Sequence, residues 1–419
     1  MVISKRQAVK TVAIIGAGPA GSAAATYLAR GGVRVALFAG GARPELLVGE
    51  SLVPAIVPIL AELGVEDEVR GYSTFKPGAT FYIEKGTEES FFFDIERPPL
   101  PTYAYNSPRD RFDQTILEAA RKAGAQVFPH VARIEHEAGG DRIRLDDATL
   151  AATGGFLDGQ PDFILDATGR TRLIARLLEL STRVGKRKDA ALFAHLDDAV
   201  LRYPGHVHIN RLDWGWSWRI PLPDRVSVGM VLPEERLPAL GSTATEQYDT
   251  LLRVDAELAE FCDGRKRLSR VMRYSNYQLV ADRFHGDGWA LVGDAAGFVD
   301  PVFSSGLLLA LKGGRAVARA LLLGTDAALA RYERQARDEI EAWHEVTDYF
   351  YDGRLFTLLH VGREFAKTLP GRLVNPFLSR RISRILMGTG TTVRLNRTVF
   401  NLLIRYALVG TDPAELRIR

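Results

Sequence analysis

Gly16, Gly18 and Gly21 stand at G-x-G-x-x-G spacing between the apolar run Val12 to Ile15 and an alanine-rich stretch. Such a turn is a phosphate cradle. Gly16 permits the tight bend, Gly18 lets the backbone approach a pyrophosphate, and Gly21, with Ala25 one turn on, lets helix and strand pack closely. The helix N-terminus then presents unpaired N–H groups and a positive dipole end to an anion, which predicts a dinucleotide as ligand. Asp294 follows a later apolar run, Trp289 to Val292. A carboxylate at a strand C-terminus can accept hydrogen bonds from paired hydroxyls, or can N-cap the next helix. Lys76, within Phe75-Lys76-Pro77-Gly78, is a third candidate. Burial readily moves a lysine between an ammonium that donates hydrogen bonds and a neutral amine that is a nucleophile. Ser305 and Gly306 open a long apolar helix, whose first-turn N–H groups could hold a small anion.

The elements that must position these groups follow from periodicity. Val12 to Ile15, Val33 to Phe38, Asp162 to Ala167 and Trp289 to Val292 are short apolar runs that read as buried parallel strands. An acidic residue is expected to close the second of them and bind ribose hydroxyls; Ala39 stands there instead. Pro54 to Leu63 is amphipathic and stops at Gly64, while Phe75 to Phe81 reads as a loop entering a strand. Gln114 to Ala123 reads as a helix, Gln126 to Ile134 as a strand, and Gly139-Gly140-Asp141 as a hairpin turn. From Val184 to Leu232 strands alternate, and Trp214, Trp216 and Trp218 at period two predict one aromatic strand face. Beyond Ala330 the chain reads as helices. They are rich in aromatics and end in an arginine-rich part that suits a solvated face or the dock of an acidic partner.

At 419 residues, 25% charged and 46% hydrophobic, the chain predicts a soluble globular enzyme of two or three domains. One cysteine, Cys262, closes no internal disulfide and offers no second thiolate to a metal, so a reducing cytoplasm is expected and no metal site. A net charge of +3 is too mild to imply nucleic acid. No uncharged apolar segment reaches bilayer length.

Gly49-Glu50-Ser51, Arg109 with Phe112 and Asp113, Asp166 to Arg170, and Gly293 to Ala296 together resemble the para-hydroxybenzoate hydroxylase type of flavoprotein. Trp216-Ser217-Trp218-Arg219-Ile220-Pro221 looks like the W-x-W-x-I-P signature of flavin-dependent halogenases within that superfamily, and Lys76 sits where they place their catalytic lysine. The resemblance implies an α/β fold: a discontinuous FAD-binding Rossmann-type domain over 10–325, an inserted antiparallel-sheet substrate domain to which 76–104 and 178–280 contribute, and a helical C-terminal region over 326–419. It implies FAD supplied as FADH2, with chloride or bromide and O2 as co-substrates. Gly16, Gly18, Ala20, Gly21, Glu50, Ser51, Arg109, Asp294 and Gly306 would bind the cofactor, and Ser305 and Gly306 the halide. Glu50 and Arg109 would lie near the adenosine and pyrophosphate, and Asp294 at the ribityl chain. Lys76 would receive hypohalous acid through a tunnel and present it to an electron-rich ring, while Trp216 and Trp218 keep that ring from the flavin. The packing alternative for these tryptophans is a core stripe. Members acting on free tryptophan carry glutamate where Phe303 stands, which points here to phenolic or pyrrolic acyl groups, some tethered to acyl carrier proteins. No second glycine fingerprint follows a strand, so a separate flavin reductase is the expected partner. The competing expectations are an FAD-dependent aromatic hydroxylase, a prenyl-reductase-like oxidoreductase, or a flavoprotein scaffold that has lost tight FAD binding.

Overall fold

The computed structural model describes residues 9–419 except 42, 43, 45, 85, 97, 98, 138, 198 and 277. Four parallel strands, Trp289–Leu291, Phe163–Asp166, Thr11–Ile15 and Arg34–Phe38, lie side by side in that order, with Gln126–Phe128 next. His285–Gly286 adds an antiparallel edge. Val12, Ala13 and Ile14 have no exposure, as a strand covered on both faces requires. Ile15, Asp166 and Leu291 end at one edge, where the following loops gather into a crevice.

Helix Pro19–Arg30 leaves this edge directly after the glycine turn. Gly16 has φ 107°, and a side chain there would come 2.3 Å from the Ala167 carbonyl oxygen, so both conformation and space demand glycine. The same helix packs against helix Ser305–Leu323 at Gly314, where an added Cβ would lie 2.6 Å from the Ala20 oxygen.

A second sheet has seven strands in the order Met272–Asn276, Asp189–Asp197, Arg225–Pro233, Gly215–Pro221, Val207–Leu212, Gly78–Glu84 and Thr87–Phe92. Only Val207–Leu212 with Gly78–Glu84 is parallel. Its alternation separates two cores: Phe81, Phe193, Ile209, Trp216 and Trp218 face the first sheet's side, while Leu192, Val228 and Met230 pack under helices Ala244–Leu251 and Ala256–Cys262. Thr243 with Glu246 closes the first of these helices in a capping box.

Several local expectations change. Lys76 ends a strand, Thr74–Lys76, that pairs with Ala104–Asn106; Pro77 then breaks the ladder. The helix expected at Gln114 begins at Arg109. The strand expected over Gln126 to Ile134 stops at Phe128, and Ile134–His136 instead forms a hairpin with Ile143–Leu145. Trp214 does not share a face with Trp216 and Trp218. It precedes the strand, packs half-buried on the opposite core, and carries Arg236 over its ring.

The C-terminal helices Asp326–Tyr351, Arg354–Lys367, Leu369–Leu386 and Arg394–Leu402 wrap the same body. Among the described residues no helix is long and apolar enough to cross a membrane.

Candidate active site

The crevice at the strand ends is a cavity of about 260 Å³ whose lining includes Gly18, Ala20, Gly49, Ser51, Arg109, Arg170, Asp294 and Gly306. Gly18 has open space where a side chain would stand, so an approaching ligand meets bare backbone. Asp166, buried at its strand end, accepts from Thr168 N (2.9 Å), Thr168 Oγ1 (2.6 Å) and Ile174 N (2.8 Å), which fixes the loop to Arg170. Asp294 lies in a 3-10 turn, Gly293–Ala295, and caps no helix. Burial pushes its carboxyl up to about 6 against the lowering pull of Arg170 and Arg109. A desolvated carboxylate facing the cavity is suited to accept from ligand hydroxyls. Gly49 has φ 100°, and a Cβ there would lie 3.0 Å from Arg109 Nη1. Its absence lets that guanidinium donate to the Val48 carbonyl while its Nε holds Asp113 at 3.0 Å. The residues present fit a dinucleotide: a glycine turn, a helix start, two guanidinium groups and one carboxylate on one cavity. Ala39 is engaged through its backbone N–H with the Phe128 oxygen at 2.8 Å and is not among the lining residues.

Glu50 turns away from this cavity. Its Oε1 meets His195 Nε2 at 2.7 Å, both groups being buried, and it lines a second, smaller cavity of about 30 Å³. Trp216, Trp218, Phe193 and Ile209 line the same space, and Val48, Gly49, Ser51, Pro301 and Ser304 belong to both cavities. The two spaces therefore share one wall.

On the far side of that wall stands Lys76. Residues 50–52 run along 105–107 through Leu52 N to Tyr105 O (2.9 Å) and Ser107 N to Glu50 O (2.7 Å), and 104–106 pairs in turn with Thr74–Lys76. This small ladder sets the Lys76 amine against Ser51 Oγ (2.7 Å) and the Leu52 oxygen (2.8 Å), with the Phe93 ring 5.5 Å away. Only 3% of Lys76 is exposed, and burial pulls its pKa from 10.5 down to about 7. A lysine beside a proline is ordinarily solvated; here it is buried, and among the described residues no carboxylate pairs with it.

Helix Ser305–Leu323 starts at the junction of the two cavities. Ser304 adopts φ 56° and makes no side-chain cap to the first-turn N–H groups. Ser305 Oγ is buried without a hydrogen-bond partner among the described residues. The approach to the helix is braced by Asp300, whose carboxylate accepts from Val302 N (2.9 Å) and from Tyr351 OH (2.8 Å). The Tyr351 oxygen in turn accepts from Trp216 Nε1 at 3.0 Å. Phe303 is 6% exposed, stacked on Trp343 and edge-on to Phe350.

Sequence reasoning missed His195, Arg170 as a cavity residue, and Tyr351. His195 lies 145 positions from Glu50 and Tyr351 lies 135 from Trp216, and no local spacing signals such pairs. Arg170 carried a signal: it stands three residues beyond the cavity wall residue Ala167, in the loop that closes a parallel strand.

Comparison with known proteins gives the family and the fold. The tryptophan halogenase family profile matches residues 11–97 and 98–354. The 1H-pyrrole-2-carbonyl-[peptidyl-carrier protein] chlorinase of Pseudomonas fluorescens is 28% identical, over 83% of this chain and 84% of its own. The myxobacterial chondrochloren halogenase CndH, described as a variant of FAD-dependent halogenases, is 29% identical, with a TM-score of 0.72 over 83% of each chain. The flavin-dependent brominase Bmp2 superposes over 96% of this chain and 99% of its own with a TM-score of 0.76; at 19% identity it speaks for the fold alone, helical C-terminal region included.

Proposed function

The chain belongs to the tryptophan halogenase family, enzymes that use FADH2, a halide and O2, and on that premise we propose that it halogenates an electron-rich phenolic or pyrrolic acyl group, presented on a carrier protein, through Lys76. The observation that carries this reading is the buried Lys76 amine, held on Ser51, which lines both the cavity at the glycine turn and the tryptophan-lined one.

Bound FADH2 with O2 supplies the oxidising equivalents that convert halide to hypohalous acid. Gly16, Gly18, Ala20 and Gly21 would hold its pyrophosphate, with Arg109 close by, and Asp294 would accept from its ribityl hydroxyls. The first-turn N–H groups of Ser305 and Gly306, with the unpartnered Ser305 hydroxyl, would hold the halide. Trp216 and Trp218 narrow the passage to a space with room for about two water molecules, which admits hypohalous acid and excludes an aromatic ring. Lys76 receives the halogen species at the far end. With a pKa of about 7 both of its forms are populated near neutrality: the ammonium polarises hypohalous acid by hydrogen bonding, and the amine takes up the halogen as a haloamine.

The parallel sheet and the helices that cover it, within 10–325, form the cofactor domain in this reading. The seven-stranded sheet, drawn from 76–104 and 178–280, forms the substrate side, and a separate flavin reductase supplies FADH2. Phe303, packed among aromatic rings, offers no carboxylate to a substrate, and the pyrrole-carrier chlorinase among the relatives acts on an acyl group of the proposed kind. The test is mass spectrometry of reactions containing FADH2, O2, chloride or bromide, and a panel of free and carrier-bound phenols and pyrroles. A carrier-bound ring that exchanges hydrogen for halogen supports the proposal. A product that gains oxygen instead identifies a hydroxylase.

A further inference from the structure

Residues 365–411 contain eight Lys and Arg and not one Asp or Glu. Over the same stretch, helix Leu369–Leu386 leaves large apolar side chains in water: Leu373 is 80% and Leu369 77% exposed, and Phe377 is half-exposed. Arg384, near its other end, is not part of this free surface, since it holds the buried Glu96 carboxylate at 2.8 and 2.9 Å. Arg372 and Arg380 form no ion pair among the described residues. We infer that this helix is the docking surface for an acidic acyl carrier protein, an inference that rests on the carrier-bound substrate proposed above.

Two observations select that occupant. The first is the order of residues along the exposed ridge. Leu369, Leu373 and Phe377 follow at i, i+4 and i+8, and Arg380 continues the same line at i+11. Apolar and cationic groups thus succeed one another along the axis of one face. A helix that lies in a bilayer interface instead divides them around its circumference, with apolar groups deep and cations at the headgroups. A compact protein with an apolar spot beside a carboxylate cluster matches the ridge.

The second is where the helix ends. Arg384 is tied to Glu96, three residues beyond the Phe93 ring that faces Lys76, and Met387 accepts from Ala55 N at 3.2 Å, three residues beyond the Leu52 oxygen that holds the Lys76 amine. At about 1.5 Å per residue, Leu373 lies roughly 17 Å along the axis from Arg384. A partner seated on the ridge lies roughly 17 Å along the helix from the end that is tied to the segments holding Lys76, a length of the order of an extended pantetheine arm. A substrate that diffuses freely has no use for a surface so placed.

The test compares wild type with Arg372→Glu/Arg380→Glu and, separately, Leu373→Ser. Two substrates are used: a peptidyl carrier protein loaded with pyrrole-2-carbonyl thioester, and the N-acetylcysteamine thioester of the same acid. The inference expects KM for the carrier-bound substrate to rise at least tenfold in each variant, with kcat/KM for the small thioester unchanged. Unchanged KM for the carrier in both variants overturns the docking surface and leaves the carrier-bound substrate standing. Wild-type enzyme that uses the small thioester at least as well as the loaded carrier overturns the substrate reading and the surface with it. Sedimentation of wild type, but not of the double variant, with phosphatidylglycerol vesicles assigns the ridge to a membrane and also overturns the inference.

Discussion

The proposed function concentrates the chemistry in one desolvated amine, that of Lys76. Substituting it by methionine is expected to lower ring halogenation at least a hundredfold while oxidation of FADH2 continues, as product analysis beside flavin absorbance would record. The same burial has a signature in stability. The folded-state pKa of about 7 lies below the unfolded value of 10.5, so the unfolded chain binds more protons between these limits. Wild type should therefore gain stability relative to Lys76→Met as pH rises from 7 to 10, by roughly 3 kcal/mol, and the gap should be flat below pH 6. Urea unfolding of both proteins across that range checks it. Tyr351 makes a different prediction. Its oxygen serves Trp216 and Asp300 together, so Tyr351→Phe removes one hydrogen bond from a buried indole N–H and one from the Asp300 carboxylate, at a cost of about 1–3 kcal/mol. Because Asp300 braces the start of helix Ser305–Leu323, halide KM should rise in that variant as well. Phe303→Glu should give no tryptophan product: it buries an unpaired carboxylate among Phe81, Trp343 and Phe350 and creates no pocket for an indole.

The glycine turn and the elements it joins depend on close backbone approach. Gly314→Ala would force a methyl group to within 2.6 Å of the Ala20 oxygen and push helix Ser305–Leu323 off helix Pro19–Arg30. Overpacking of this kind costs about 1–3 kcal/mol, and fluorescence titration should show FAD binding weakened, because the cradle and the opposing helix start move apart. These elements were also the readable ones. Gly16, Gly18 and Gly21 act within six residues of one another, and buried parallel strands announce themselves as unbroken apolar runs, so the spacing alone located the cavity. Lys76 was found through its neighbours in sequence, but its burial was not, since the ladder that seals it joins three segments up to 57 residues apart. Trp214 shows the opposite failure. Period two does not hold one residue before the strand's start, where a turn at Asp213 and Trp214 sends the ring to the other core. Glu50 was read from its motif neighbours, yet a histidine on a distant strand decides where its carboxylate points.

On the scale of the molecule, buried polar links help to tie the C-terminal helices to the rest. Glu96 has a side chain only 2% exposed, and Arg384 is its cation. Arg384→Ala should cost about 3 kcal/mol by leaving that carboxylate unpaired, and hydrogen exchange should quicken in Leu369–Leu386 before it does in the parallel sheet. The space of about 30 Å³ lined by Trp216 and Trp218 has a bearing on how such an enzyme can change over evolutionary time. In the proposed reading, a constriction that passes only a triatomic oxidant separates the place where the reagent is made from the place where it is used. On that reading, mutations that reshape the surroundings of the lysine can try new aromatic guests without disturbing oxidant supply.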